Sequence, residues 1–307
     1  MNRLALLLAV ACGACRSAPA VTNSERAPKV RLQAPLTFEA AGSKVLPVPL
    51  AEVSVGGQVT RLIVDTGASD HVFTRAFVAT SKLVVRGTAE RGTDHAGAGF
   101  EATPLARTQV TLGGVSVSVD AFAVEGPPPF EPLGLGGFLS PQRLFETGYV
   151  VLDFPGRTLV ALETDADGVR AWLERGGPVQ ALTTKWVNHK PFTELSLAGR
   201  PPVFGEVDTG GSTSELSFAY AGATADAGGC QGIGVSGQCV EGSTLEDQRV
   251  RFAGREFAGL TLGLRPVIAH GPGLANEQAL VGMDVLRRCV LAVPNDQASP
   301  VLARCTP

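Results

Sequence analysis

Two aspartates of this chain stand in copies of one short motif, and their type and setting suit acid–base chemistry. Asp65 lies in residues 64–69, which read Val-Asp-Thr-Gly-Ala-Ser, and Asp208 lies in residues 207–212, which read Val-Asp-Thr-Gly-Gly-Ser. The duplication predicts two carboxyl groups related by a pseudo-twofold axis. Facing carboxyl groups share one proton, because both cannot ionise at low cost. The ionised group can then take a proton from water while the protonated group donates to a carbonyl oxygen.

The surroundings of the two motifs repeat as well. An apolar run precedes each aspartate, and a helix-capping residue follows it nine positions later, Thr74 in the first copy and Ser217 in the second. Gly67 and Gly210 have no Cβ, so the backbone can approach the carboxylates closely at both places. A single Asp-Thr-Gly is usually a turn with a capping aspartate, but two copies in matched surroundings favour a paired site.

The composition indicates an all-β protein. The chain has 307 residues, 44% of them hydrophobic, with 37 glycines and 21 prolines that follow no period. Frequent Gly and Pro between short runs rich in Val and Leu predict many strands joined by turns. The net charge is −3 and no basic run is present, so nucleic acid is not an expected partner.

The chain divides into two lobes with the same order of elements. We assign residues 36–164 to an N-terminal lobe and residues 180–307 to a C-terminal lobe, each ending in a hairpin. Residues 165–179 are expected to form a connecting helix that begins with acidic residues and ends at Gly176-Gly177-Pro178. Residues 16–35 are polar and proline-rich, and they are expected to be a flexible tether.

The first 15 residues have the pattern of an export signal. Arg3 precedes a short apolar run at residues 4–11, which is too short to span a bilayer. Cys12 or Cys15 then stands where a bacterial lipoprotein carries its lipid; the alternative is a plain signal peptide with incidental cysteines. We expect a periplasmic or cell-surface lipoprotein anchored to the membrane.

The remaining four cysteines favour two local disulfides. An even number of cysteines in an exported chain is typical of disulfide bonding. Cys230 and Cys239 flank a glycine-rich hairpin tip, and Cys289 and Cys305 flank the base of the last hairpin. A zinc site is the competing interpretation, but no C-x-x-C occurs outside the leader and the four histidines are scattered.

The order of these features resembles that of the aspartic protease clan, both pepsin-like and retropepsin-like. In that family each catalytic loop packs beside an apolar-Gly segment of its own lobe, and Leu135-Gly136 and Val281-Gly282 are the candidates here. The resemblance implies an all-β, bilobal acid protease fold in which Asp65 and Asp208 are the catalytic pair. Neither tyrosine of the chain lies in the candidate flap at residues 94–99, and each lobe is short, so the resemblance is closer to the bacterial retropepsin-like branch.

The same resemblance implies roles for the neighbours of each aspartate. Thr66 and Thr209 would each hydrogen-bond across to the opposite loop and fix the pair. Ser69 and Ser212 would hydrogen-bond to the outer carboxylate oxygens. Such support keeps the two acids coplanar.

The sequence therefore predicts an exported aspartic endopeptidase that acts as a monomer on polypeptide substrates, without a metal or an organic cofactor. The alternative is a catalytically inactive peptide-binding module on the same fold. Intact threonine and serine partners in both motifs favour the enzyme, because a binding module does not need them.

Three further patterns carry no catalytic role. Residues 232–237 match a dinucleotide-binding fingerprint by letter, but they lack the strand and helix that it requires and are interpreted as a flap tip. His71 is expected to be a packing or surface residue. No G-x-S-x-G or H-E-x-x-H sequence occurs, which argues against the common serine and zinc hydrolases.

Overall fold

A sheet of ten strands forms most of the first lobe. The computed structural model describes residues 27–223, 228–266 and 278–306. Alternating side chains set the faces of the strands: Val53 and Val55 are buried, whereas Glu52 is exposed and Ser54 is half-buried. The elements of this part of the chain are β1 (Lys29–Pro35), β2 (Thr37–Glu39), β3 (Val45–Val55), β4 (Gln58–Val64), β5 (His71–Thr74), α1 (Arg75–Thr80), β6 (Glu90–Thr93), β7 (Gly99–Pro104), β8 (Thr108–Leu112), β9 (Val115–Val119), β10 (Ala121–Val124), β11 (Leu135–Leu139), β12 (Tyr149–Asp153) and β13 (Thr158–Glu163), with short 3-10 helices at Ala41–Ser43 and Pro141–Arg143.

The second lobe has a sheet of seven strands and a separate two-stranded hairpin. From the connecting segment onward, the elements are α2 (Ala166–Glu174), β14 (Gln180–Ala181), β15 (Thr184–Val187), β16 (Lys190–Leu197), β17 (Val203–Val207), β18 (Glu215–Ser217), α3 (Phe218–Ala221), β19 (Cys230–Ile233), β20 (Cys239–Glu241), β21 (Ser243–Phe252), β22 (Arg255–Arg265), β23 (Ala279–Val281), α4 (Met283–Leu286), β24 (Cys289–Pro294) and β25 (Leu302–Cys305).

Both lobes use the same strand arrangement around their aspartate. In the first lobe β4 pairs in parallel with β11, which pairs antiparallel with β5. In the second lobe β17 pairs in parallel with β23, which pairs antiparallel with β18. The predicted caps are present, since the hydroxyl of Thr74 accepts from the Phe77 N–H and that of Ser217 accepts from the Tyr220 N–H. The repeat in the sequence is therefore a repeat in structure.

A six-stranded sheet joins the two lobes. The final hairpin of each lobe contributes two strands, and β12 of the first lobe pairs antiparallel with β24 of the second from Tyr149–Pro294 to Asp153–Val290. The predicted connecting helix is α2, capped by Asp165, whose carboxylate accepts from the Gly168 N–H. Val169 and Leu173 of this helix are buried against the sheet. The lobes thus share one sheet and are fixed to each other.

Residues 29–35 form a strand, so the prediction of a flexible tether is wrong for this part of the chain. β1 pairs antiparallel with β13 and extends the shared sheet. Its apolar residues alternate with polar ones, and Leu32 and Ala34 are 1% and 2% exposed. Proline and charged residues in the segment masked this short alternation. Residues 1–26, with Cys12 and Cys15 and the remainder of the predicted tether, lie outside the described residues.

The structure has both disulfides that the spacing predicts. Cys230–Cys239 closes the hairpin of β19 and β20. Cys289–Cys305 joins opposed residues of β24 and β25 within the shared sheet. Across the described ranges, no helix is both long and apolar enough to cross a bilayer.

The strand β1 leads to a prediction about stability. Leu32→Ala should lower the free energy of unfolding by about 2–5 kcal/mol, because it leaves a cavity in the core. Gln33→Ala, one residue along on the exposed side, should change it by less than about 0.5 kcal/mol. Urea unfolding of both variants measures the difference, and equal stabilities would mean that β1 does not pair in solution.

Candidate active site

The two aspartates stand at equivalent ends of the parallel strand pairs. The N–H of Asp65, directly after β4, donates to the carbonyl of Leu139 at 2.9 Å. The N–H of Asp208, directly after β17, donates to the carbonyl of Val281 at 3.0 Å. The backbone of each aspartate is therefore held by the parallel neighbour of its own strand, which is β11 for Asp65 and β23 for Asp208.

This register corrects one expectation about the apolar-Gly segments. Val281-Gly282 does pack beside the Asp208 loop, as predicted. In the first lobe the equivalent residue is Leu139, which lies opposite Val64, whereas Leu135 lies opposite Arg61 farther down the strand. The counterpart of Val281-Gly282 is therefore Leu139-Ser140. The apolar-Gly pattern does not match this segment, because serine takes the place of glycine.

Backbone N–H groups orient the carboxylates. Oδ1 of Asp65 accepts from the N–H of Gly67 at 2.7 Å and of Ala68 at 3.1 Å. Oδ1 of Asp208 accepts from the N–H of Gly210 at 2.8 Å. Hydrogen bonds of this kind to an ionised oxygen are stronger than neutral ones, so they fix the carboxylate planes.

Thr66 and Thr209 join the two loops by a reciprocal exchange of hydrogen bonds. The Thr66 hydroxyl donates to the Val207 carbonyl at 2.5 Å and accepts from the Thr209 N–H at 3.1 Å. The Thr209 hydroxyl donates to the Val64 carbonyl at 2.6 Å and accepts from the Thr66 N–H at 3.0 Å. Both threonines are fully buried. This is the crossing contact that the resemblance implies.

The glycines of the motifs permit the close approach of the loops. A Cβ added to Gly67 would lie 2.7 Å from Cγ of Asp208, and one added to Gly210 would lie 2.6 Å from Cγ of Asp65. Distances below 3.0 Å essentially never occur for real Cβ atoms. Each loop therefore passes against the carboxyl group of the other lobe at a point where only glycine fits.

The pair binds a proton more tightly than an isolated carboxyl group does. Burial raises the pKa of Asp65 well above its usual value, and the charge of Asp208 and a hydrogen bond between the two carboxyl groups raise it further. The charge of Glu206 acts in the same direction. Because the titrations of two such groups interact, the proton belongs to the pair.

The roles expected for Ser69 and Ser212 are not present. The Ser212 hydroxyl lies 3.4 Å from that of Thr213, and in the described part of the chain neither serine hydrogen-bonds to Asp65 or Asp208. The residue before each serine faces the carboxylate instead: Ala68 donates its N–H, and a Cβ on Gly211 would lie 3.0 Å from Oδ2 of Asp208. Alanine and glycine have no hydroxyl to offer there.

Other polar residues, which no local sequence motif indicates, support the loops that carry Asp65 and Asp208. The fully buried amide of Gln142 donates to the carbonyls of Thr66, Ala68 and His189 at 3.0–3.1 Å, and so ties the Asp65 loop to the second lobe. In the second lobe the Ser214 hydroxyl donates to Asp284 at 2.6 Å and accepts from the Gly282 N–H. These partners lie 47–76 residues apart in the chain, so no local pattern could reveal them.

A hairpin from each lobe meets the other across the cleft. The first flap, β6 and β7, places Asp94 where its carboxylate accepts from the Ser236 N–H of the second flap, β19 and β20, at 2.9 Å. His95 of the first flap lies with Nε2 2.9 Å from Oε2 of Glu215, which also pairs with Arg265. The flap of the first lobe is thereby fastened to the second lobe by Asp94 and His95.

The electrostatic setting of His95 favours its charged form. Burial lowers the pKa of His95, and the Arg265 charge does so too, but the hydrogen bond to Glu215 and the charges of Glu215 and Asp208 outweigh them. The pKa of His95 is therefore raised. The contact to Glu215 gains the character of an ion pair as the pH falls through that value.

His71 is a packing residue, as expected. Its Nδ1 accepts from the Ser140 N–H and its Nε2 donates to the Arg143 carbonyl, both at 3.2 Å. Burial lowers its pKa to about 4, so the imidazole is neutral at ordinary pH. Among the described residues, no three His, Cys, Asp or Glu side chains are grouped so that they could hold a metal ion.

A groove of about 460 Å³ opens beside the meeting point of the flaps. Both flaps and the start of α1 line it, through Arg75, Gly99, Phe100, Glu101, Glu125, Val235 and Ser236. Neither Asp65 nor Asp208 lines this groove, so it is separate from the carboxyl pair.

The close approach of the loops can be tested by adding one methyl group. Gly67→Ala should lower the free energy of unfolding by about 1–3 kcal/mol, because the new Cβ overlaps the carboxyl group of Asp208. Gly232→Ala is the matched control, since a Cβ there would meet nothing within 4 Å. Thermal unfolding compares them, and equal midpoints would contradict this packing.

Comparison with known proteins agrees with this geometry. The sequence profile of a family described as Aspartyl protease matches residues 51–136, which include Asp65 and most of the first lobe. No curated protein sequence matches the chain. The crystal structure of an aspartic proteinase from Irpex lacteus superposes with a TM-score of 0.54 at 15% identity, over 89% of this chain and 97% of that one. The chain has the bilobal, all-β fold of the pepsin- and retropepsin-like aspartic proteases.

Proposed function

We propose that the protein is an aspartic-type endopeptidase that hydrolyses peptide bonds with a water molecule activated by Asp65 and Asp208. The observation that carries the proposal is the close approach of two equivalent loops, in which Gly67 lies against the carboxyl group of Asp208 and Gly210 lies against that of Asp65. Both aspartates keep part of their surface open, so a substrate can reach them. Paired carboxyl groups that share a proton provide an acid and a base together.

The reaction follows from the shared proton. The ionised carboxylate takes a proton from water, and the water oxygen forms a bond to the carbonyl carbon of the peptide. The protonated carboxyl group gives its proton to the carbonyl oxygen, which yields a tetrahedral diol. The diol collapses when the carboxyl group that took the water proton gives it to the amide nitrogen and the C–N bond breaks. One hydroxyl of the diol returns its proton to the other carboxylate as the carbonyl re-forms, so the pair again holds one proton. No other residue has to titrate in this cycle.

The threonine exchange, the closely packed glycines and the buried amide of Gln142 support this proposal over an inactive peptide-binding module. They hold two acids close together, an arrangement that costs free energy because the acids repel when both are ionised. A module that only bound peptides would gain nothing from that cost. The module remains the alternative, and binding without cleavage would identify it.

A single chain supplies the whole site in this proposal. Both aspartates come from one chain, and the shared sheet holds the lobes together by five paired positions between β12 and β24. We therefore propose that the monomer is active, with an extended polypeptide bound beneath the two flaps as its substrate.

The first test of function removes each acid in turn. Asp65→Asn and Asp208→Asn should each lower kcat/KM by at least about 10²–10⁴-fold, because one remaining carboxyl group cannot act as both acid and base. The exposed Asp247→Asn is the matched control and should keep full activity. Cleavage of an unstructured protein from acid to neutral pH, with and without pepstatin, measures the effect.

Mixing the two inactive variants tests the single-chain site. The mixture should stay inactive, since each chain lacks half of its only site. Recovered activity would instead indicate dimers that exchange lobes. Full activity in either single variant would reject the mechanism, and pepstatin binding without cleavage by the unaltered protein would favour the binding module.

We further propose that the protein is exported and held at a membrane by lipid on Cys12 or Cys15. The two disulfides support an oxidising compartment. Replacing both leader cysteines with serine should move the protein from the membrane fraction to the soluble fraction of its host cells. Unchanged membrane fractionation of that variant would contradict the lipid anchor.

A further inference from the structure

The two lobes differ in charge beside the carboxyl pair. Glu206 stands two residues before Asp208 on β17, and the equivalent residue on β4 of the first lobe is Ile63. Both side chains are buried, with 3% of Glu206 and 6% of Ile63 exposed. A buried carboxylate is costly unless it is paired, so its presence on one side only requires a physical explanation.

Contacts of Glu206 extend in two directions. Its Oε2 lies 2.7 Å from Nζ of Lys190, on the neighbouring strand β16, and only 17% of that lysine side chain is exposed. Its other oxygen faces the Asp65 loop. The position that a Cβ on Gly67 would take lies 2.8 Å from Oε1 of Glu206 and 2.7 Å from Oδ1 of Asp208. Glu206 therefore reaches across the lobe boundary to the same point as the pair.

We infer that Glu206, held by Lys190, is a positioning residue that fixes the upper pH limit of the carboxyl pair. This inference rests on the proposed function and adds a charge that sets the pH range in which the carboxyl pair can act. A negative charge beside the pair makes loss of its shared proton more costly, so the acid form persists to higher pH. Lys190 keeps Glu206 ionised in a buried place and moderates the effect by its opposite charge.

The other charged groups near the pair leave this role to Glu206. Asp208 and Asp65 are the pair itself, and Lys190 on β16 binds Glu206. His95 on the first flap senses the charge of Asp208, but it is paired with Glu215, which also contacts Arg265. After burial and Asp208, the Glu206 charge contributes to the raised pKa of Asp65.

The test compares two variants that remove this charge. Glu206→Gln keeps the shape of the side chain, and the double variant Glu206→Gln with Lys190→Met also removes the lysine charge that the first leaves unpaired. Glu194→Gln, an exposed change on the same strand as Lys190, makes the same change in net charge away from the site. Asp-labelled protein is titrated by carboxyl ¹³C NMR, with signals assigned by Asp65→Asn and Asp208→Asn, and kcat/KM is measured against pH.

Glu206→Gln should lower the higher apparent pKa of the pair by at least about half a pH unit, with the double variant shifted in the same direction by less. The descending limb of kcat/KM at high pH should move by the same amount, and Glu194→Gln should leave both unchanged. A variant that loses thermal stability while the NMR titration stays in place would show that the Glu206–Lys190 pair is only structural and would overturn the inference.

The two readouts separate this inference from the proposed function. If the unaltered protein cleaves nothing, but the apparent pKa of the pair shifts as expected in the variants, the endopeptidase is rejected and the effect of Glu206 on the pair stands. If the protein is active, but neither the apparent pKa of the pair nor the high-pH limb of kcat/KM changes in the Glu206 variants, the proposed endopeptidase stands and the role of Glu206 is rejected. The double variant leaves no buried lysine unpaired, so it gives the result even where Glu206→Gln alone folds poorly.

Discussion

Two carboxyl groups that repel each other when ionised are held in contact, and the rest of the structure depends on that constraint. Asp65 and Asp208 each lie against the glycine of the opposite loop, and the two loops are tied by Thr66 and Thr209. The threonine hydroxyls each use both donor and acceptor capacity on backbone groups of the opposite lobe. Their buried hydrogen bonds resist the repulsion without adding charge.

That constraint explains why the lobes share a sheet. Repulsion at the pair would push two freely hinged lobes apart, whereas the β12–β24 pairing carries a ladder of backbone hydrogen bonds between them. Gln142 adds a second connection, because its amide joins the Asp65 loop to the turn at His189. The site therefore lies between two lobes that are held together by a common sheet, and this connection preorganises the two carboxyl groups.

The sequence predicts the parts of this arrangement that are local. The aspartate motifs, the caps at Thr74 and Ser217, and both disulfides depend on residues a few positions apart or on hairpins with clear turns. The strand Lys29–Pro35 could not be predicted, because its partner β13 lies over 120 residues away and its own pattern is short. The roles of Ser69 and Ser212 failed for another reason, since the residue one position earlier in each loop, Ala68 or Gly211, lies against the carboxylate.

The symmetry of the lobes is strict at the acids and ends next to them. Thr66 and Thr209 make equivalent contacts, and Gly67 and Gly210 each lie against the carboxyl group of the opposite aspartate, whereas Ile63 and Glu206 are not equivalent. The flaps differ as well, because only the second carries a disulfide and only the first supplies the histidine that binds Glu215. In the proposed function, a peptide that binds beneath the flaps must leave the His95–Glu215 contact in place or break it. In the proposed endopeptidase, two identical acids therefore face surfaces of different charge and shape, and those differences give the selectivity between peptide substrates.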